Sequence, residues 1–223
     1  MASSGGPDGI SDGLVFSLDA ANKISYPGSG TSWYDLSNNV NTSVLTNGPT
    51  FNVGNGGSIV FDGIDDCVVV NSNANILSKT AYTKIAWFYT TSFSTNNNIV
   101  SGGNSGQHAF WLGASSYLRA GHNGNWNTVV ASTSMSLNRW YFGAVTFNTT
   151  SGWVLYLNGI QENASVDTTT FTGNQEILIG AYSTGGNVFT GRIATTLVYN
   201  RALTAAEILQ NYNDTKTRFG ILS

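Results

Sequence analysis

The chain has 223 residues, of which 41% are hydrophobic and 12% aromatic but only 9% charged, and its formal net charge is −3 at pH 7. That length and apolar content suffice for one all-β domain with a two-layer core, while nine basic against twelve acidic residues give no electrostatic footprint for a phosphate backbone and exclude nucleic acid as an expected partner. The single Cys67 rules out an internal disulfide, and no apolar stretch has the length a membrane helix needs, so no membrane insertion is expected.

Residues 1–12 are rich in Gly, Ser, Pro and Asp with no apolar period, and read as a flexible N-terminal arm ahead of one domain over 13–223. The arm has neither a basic start nor an apolar run, which predicts no secretory signal. Leu14, Phe16 and Leu18 then alternate as one face of a half-buried strand. A turn-rich stretch follows to Asn39, in which Trp33 and Leu36 pin a loop and Asp35, Ser37 and Asn38 bond local backbone. From Ser58 the strands come at regular intervals, over 58–61, 67–70, 82–89, 98–101, 107–112, 117–120, 128–132, 139–147, 152–157, 160–165, 176–181 and 191–199. Gly and Asn between such short runs indicate a sandwich or jelly roll. Asn158-Gly159 accommodates the two positive φ angles of a type I′ turn and predicts a tight hairpin from Leu157 to Ile160. Cys67, Trp87, Trp140 and Trp153 stand among apolar neighbours and are expected in the core.

One short helix closes the chain. Thr204-Ala205-Ala206-Glu207 is a capping box, and Ala205, Ile208, Leu209 and Tyr212 form an apolar stripe at helical spacing. The helix is expected to pack at the edge or end of the sandwich. The arm and the tail from Thr215 to Ser223 are candidate docking segments for neighbouring subunits.

Several pieces, in order, resemble the laminin-G-like domains of the concanavalin A-like lectin/glucanase superfamily: Gly13-Leu14-Val15 with Asp19, Trp33 with Asp35-Leu36-Ser37-Asn38, Gly57 to Gly63 with Asp65-Asp66, Trp140-Tyr141, Tyr156 to Gly159, and Gly191-Arg192-Ile193 through Asn213. The resemblance implies a two-sheet antiparallel jelly-roll sandwich with one short C-terminal helix. The ending, Tyr199 to Thr204 with Glu207-Ile208 and Arg218-Phe219-Gly220-Ile221, is similar to the form of this domain in tailed-bacteriophage virion proteins. This second resemblance implies a non-enzymatic virion structural protein, a capsid decoration or tail-fibre component. It would assemble in the host cytoplasm, be oligomeric on the particle, have other virion proteins as partners, and have cell-surface glycans as a further expected partner. The alternative is a secreted, extracellular bacterial carbohydrate-binding or adhesion module.

The superfamily includes glycosidases, which act through paired carboxylates. Glu207 belongs to the capping box, Glu162 follows a hairpin turn, Glu176 opens a strand, and adjacent Asp65 and Asp66 point to opposite faces; no pair suited to glycoside hydrolysis emerges, and the expectation is no enzymatic activity. Asp62, Asp65 and Asp66 offer hard oxygen ligands for Ca²⁺, which relatives often bind; the competing reading has Asp62 and Asp65 capping a tight turn around Gly63. For a sugar, which needs an aromatic face and nearby amides, the candidates are Tyr117, Arg119, His122, Asn123, Asn125 and Trp126. Tyr117 and Arg119 are expected to share a strand face, with Trp126 in a Gly/Asn loop; the competing reading makes Trp126 a loop anchor.

Overall fold

Side chains alternate across a strand, so a strand with apolar residues on both of its faces must be covered on both. Two central runs of this chain, 81–90 and 140–148, carry apolar side chains on both faces, and they organise the fold. The computed structural model describes residues 9–39, 41–71, 76–93 and 96–222. In chain order its strands are β1 (Leu14–Asp19), β2 (Ser32–Tyr34), β3 (Thr42–Thr46), β4 (Thr50–Asn52), β5 (Ser58–Asp62), β6 (Cys67–Asn71), β7 (Ala81–Thr90), β8 (Asn97–Asn98), β9 (Val100–Ser101) and β10 (His108–Leu112). They continue with β11 (Leu118–His122), β12 (Asn125–Val130), β13 (Trp140–Asn148), β14 (Gly152–Leu157), β15 (Ile160–Ser165), β16 (Leu178–Ile179), β17 (Ala181–Ser183), β18 (Gly186–Val188) and β19 (Thr190–Tyr199).

An eight-stranded sheet runs β15-β14-β13-β7-β19-β5-β4, with β1 also on β19. The ten-residue β19 serves two partners along one edge, β5 from Thr190 to Ile193 and β1 from Thr195 to Tyr199. The second layer comprises β12-β11-β10-β8, β2-β3-β6-β16-β9 and the hairpin β17-β18. Between the layers lies the main core, with Phe16, Phe61, Phe88, Phe110, Phe147 and Trp153 fully buried. This is the expected antiparallel two-sheet sandwich.

The other face of the large sheet carries a second core of Ile85, Trp87, Phe142, Ala144 and Tyr156, and the C-terminal helix (Ala205–Thr215) covers it. The helix therefore lies on the outer sheet face, and the expected place at an edge or end is corrected, because β7 and β13 are apolar on both sides. Its capping box forms in both directions. Ile208 and Asn211 are its buried residues while Leu209 is 44% exposed, so the stripe is narrower than expected. Trp87 stacks on Phe219 at 4.1 Å and Tyr212 at 5.8 Å, and its indole donates to Thr215 Oγ1 at 2.7 Å.

Both chain ends are tied to this outer face. Tyr199 donates its hydroxyl to Ile10 O at 2.9 Å, and Arg201 bridges Asp12 and Glu207; residues 1–8 of the expected arm lie outside the described residues. Arg218 donates to Asn55 O, Gly57 O and the Asp19 carboxylate, each at 2.7 Å, and Phe219 is buried. Those tail residues are used within the fold, which removes them as free docking groups.

β2, β3 and β4 fall where turns or no element were expected: they are only three to five residues long, and β2 forms by pairing with β3, β3 with β6 and β4 with β5. Asp35 accepts from Ser17 N as well as from local Ser37 N, tying this stretch to β1. The hairpin at Asn158 (φ 51°) and Gly159 (φ 79°) joins Leu157 to Ile160 as predicted, and Cys67 is buried. Trp140 is only half-buried, at the end of β13 that the helix leaves bare.

Candidate functional site

The register of the four-stranded sheet sorts its side chains. Phe110, Leu112, Leu118 and Ala120 enter the core, whereas Asn98, Trp111, Arg119 and Val130 pair across β8, β10, β11 and β12 in one outward-facing row. Trp111 donates its indole N–H to Trp126 O at 2.9 Å, and the Trp126 ring meets Tyr182 edge-on at 5.2 Å. Gly121 permits this arrangement, since a Cβ there would collide with the backbone of Asn125 and Trp126. The three rings wall a small cleft of about 60 Å³, closed by Asn96, Asn98 and Asn187. Asn98 Nδ2 donates to Asn96 O at 3.2 Å and Asn187 O at 3.1 Å, which holds the β17-β18 hairpin against the sheet. Arg119 lies 5.3 Å over Trp111 and donates to Asn127 Oδ1 at 2.8 Å and to Ser115 Oγ. Burial pushes the Tyr182 hydroxyl up, so it stays neutral as a donor and acceptor.

Of the residues expected to bind sugar, Trp126 lines this cleft and Arg119 adjoins it. Trp126 is the second residue of β12 and not part of a loop. Asn125 is exposed beside it, and Tyr117, one residue ahead of β11, does not line the cleft. Asn123 caps the 170–172 segment instead, bonding Thr170 O and Thr172 N. His122 is excluded from the site: it falls in phase with Leu118 and Ala120 and is 4% exposed. Trp111, Tyr182, Asn98 and Asn187 were missed. Trp111 alone had a local signal, being out of phase with Phe110 and Leu112; the others come from separate segments.

His122 belongs to a buried polar network. Its Nε2 accepts from the Tyr82 hydroxyl at 2.8 Å and its Nδ1–H donates to Thr169 O at 3.0 Å. His108 Nε2–H donates to Glu176 O at 2.9 Å, leaving Nδ1 to accept from Lys84 Nζ at 2.8 Å. Lys84 Nζ also donates to Val100 O at 3.0 Å, and these two acceptors match the two N–H bonds of a neutral amine. Desolvation drives the same state: it pushes His122 down to about 4 and holds His108 and Lys84 well below their ordinary values. Phe171 stands against both imidazoles, at 5.1 and 5.2 Å. Each of these side-chain nitrogens and the Tyr82 hydroxyl is hydrogen-bonded, and all four side chains are buried, so the network is a satisfied core.

The carboxylates of Asp62, Asp65 and Asp66 lie within 4.8 Å of one another in the β5-β6 turn. Asp62 Oδ1 accepts from Ile64 N at 2.7 Å and Asp66 Oδ2 from Asp62 N at 2.9 Å, so turn capping is present but uses Asp66 where Asp65 was expected. Burial, then the charges of Asp62 and Asp65, pushes the Asp66 carboxyl up, and no salt bridge relieves it among the described residues. The donor set is of the hard kind that Ca²⁺ takes, yet three carboxylates would need carbonyls or water to complete a shell of about six to eight oxygens.

Comparison with known proteins agrees with this architecture. A laminin-G-like family profile, described as concanavalin A-like lectin/glucanases superfamily, matches residues 61–209. No curated protein sequence matches the chain. Among solved structures, domain 4 of AbnA, an extracellular GH43 arabinanase from Geobacillus stearothermophilus solved with arabinotriose, superposes with a TM-score of 0.71 at 15% identity, covering 91% of this chain and 100% of that one. Trypanosoma rangeli sialidase in complex with sialic acid gives 0.68 at 17% identity, covering 92% of this chain and 33% of the sialidase; the chain thus spans about a third of that protein. The binding domain of Botulinum neurotoxin DC gives 0.68 at 12% identity, covering 92% and 52%. Such identities carry the fold alone, but the profile covers more than half of the chain, and the chain therefore belongs to the concanavalin A-like lectin/glucanase superfamily in its laminin-G-like form.

Proposed function

We propose that this domain is a non-catalytic glycan-binding module and that the cleft of Trp111, Trp126 and Tyr182 is its contact surface. The observation that carries the reading is the combination of three aromatic walls with the amides of Asn96, Asn98 and Asn187. Aromatic rings receive the apolar face of a sugar, and amides bond its hydroxyls. No carboxylate lines the cleft, and hydrolysis of a glycosidic bond needs two, which supports a binding role without catalysis. That domain 4 of the arabinanase was solved with arabinotriose supports the same class of ligand. A glycan array tests the reading: wild type binds a defined set of glycans and Trp126→Ala loses them, whereas a blank wild-type array, or a variant that binds as well, overturns it.

The parent context proposed is the virion of a tailed phage, as a capsid decoration or tail component, supported by the Tyr199 to Thr204 and Arg218 to Ile221 ending. Mass spectrometry of purified particles tests this, and absence of the chain from virions sinks it. The second reading, a module of a secreted bacterial protein, is favoured by its superposition on the whole of an arabinanase domain and a third of a sialidase. A parent gene that continues into an exported glycan-acting enzyme would decide for it.

A further inference from the structure

The C-terminal helix leaves one end of the outer sheet face bare. There the register lines up Val60, Arg192, Tyr89 and Trp140 across β5, β19, β7 and β13, and all four are half-buried. Beside this row, between the ends of β7 and β13 and the tail, lies a cleft of about 410 Å³ whose lining includes Tyr89, Asn138, Arg139, Trp140, Phe219 and Ile221.

Its rings are held in place. Trp140 donates its indole N–H to Asn55 Oδ1 at 3.0 Å and packs on Phe219 at 4.7 Å, with Tyr89 at 5.5 Å on another side. Neither Arg139 in its lining nor Arg192 beside it is neutralised by a carboxylate among the described residues. Every salt bridge among the described residues is made by Arg201 or Arg218. Arg192 spreads its guanidinium over Tyr89 at 4.0 Å and reaches Trp140 at 5.4 Å, with one long bond, 3.5 Å, to Asn52 Oδ1. Arg139 is exposed and forms no ion pair among the described residues. Stacking on a ring uses the face of a guanidinium and leaves the N–H donors on its edge free for a planar anion. The lining of the first cleft, by contrast, carries no charged side chain.

We propose that this cleft is a second ligand site, on the opposite face of the sandwich, for an anionic sugar residue: the carboxylate or sulfate pairs with Arg139 in its lining, the Arg192 guanidinium stacked on Tyr89 beside the cleft adds a second positive charge, and the apolar face of the ring lies on Trp140. A volume of this size suits a short saccharide segment, and an aromatic platform flanked by cations selects a ring bearing a negative group over a neutral one. The site is independent of the Trp111 cleft, so either can fail without the other.

The test follows the assigned indole N–H resonance of Trp140 in the full chain during titration with tetragalacturonate, a heparin tetrasaccharide, a neutral tetrasaccharide and a tetraglutamate peptide. The carboxylated or the sulfated sugar is expected to shift the resonance at millimolar concentration or below, and which of them does so identifies the anion. Arg139→Ala and Arg192→Gln should each weaken that binding by about tenfold or more, rising salt should weaken it further, and Trp126→Ala should leave it unchanged. Arg139 is exposed, so its variant keeps the test valid should Arg192→Gln disturb the sheet. No shift with either acidic sugar, equal binding of the neutral one, equal binding of the peptide, or unchanged affinity in Arg139→Ala overturns the proposal.

Discussion

Trp87 and Trp111 both lie on the outer faces of the two layers, yet one is core and the other walls a cleft. Trp87 is 1% exposed, sandwiched by Phe219 and Tyr212 with its indole satisfied by Thr215, because the C-terminal helix lies over it. Trp111 is 8% exposed and walls an open cleft, its indole bonded to the backbone of β12, two strands away. The difference teaches that an outward tryptophan in a sandwich stays accessible to a ligand only where no third layer covers it.

The largest expected effect breaks the covered side. Trp87→Ala should cost about 3–5 kcal/mol in urea denaturation through the cavity it leaves under the helix, with glycan binding retained in the folded fraction. Trp111→Ala should cost less and lose the glycan; the reverse ranking would dissolve the distinction between the two faces.

Acid should open the core between the layers next. His122 has its pKa depressed from 6.5 to about 4, so the unfolded chain takes up the proton first as pH falls. Its contribution is complete above about 6.5, shrinks as pH drops towards about 4, and amounts to a loss on the order of 3 kcal/mol. Thermal melts across that window read it, and His122→Gln should flatten the slope. An unchanged slope would mean that the imidazole is not held neutral by Tyr82 and Thr169.

A smaller effect concerns the helix alone. Arg201 and the cap hold the Glu207 carboxylate down at about 2, against 4.5, so this stabilisation is complete above about 4.5 and lost as pH falls through about 2. Glu207→Gln should cost about 1–2 kcal/mol at neutral pH and remove the pH dependence in that lower window, without changing the Trp111 cleft. Smallest in stability is Trp126→Ala, at about 1 kcal/mol or less, though binding at the cleft should vanish.

Much of this was legible locally. The capping box, the Asn158-Gly159 hairpin, buried Cys67 and the strands on both sides of it follow from neighbouring residues, because turn and cap chemistry acts within a few positions. The apolar residues on both faces of β7 and β13 call for a third layer, which the expected placement of the helix at an edge or end overlooked. The site was legible only in Trp126 and Arg119. His122 was misplaced because a histidine in a strand is polar in sequence, and only strand phase and the partners Tyr82 and Thr169 turn it inward. Trp140 erred in the other direction: its apolar neighbours suggest core, but the helix ends its cover before that row.

By itself, then, the sequence determined the all-β class, the strand alternation, the closing helix and the scarcity of charge, all set by periodicity and short-range hydrogen bonding. Only the tertiary structure decided which tryptophans are covered, that Lys84 and two histidines are neutral in the core, and that Asn98, Trp111, Trp126, Tyr182 and Asn187 meet in one cleft. Burial and convergence of that kind depend on which layer lies over which face, and that is fixed by pairings between residues far apart in the chain.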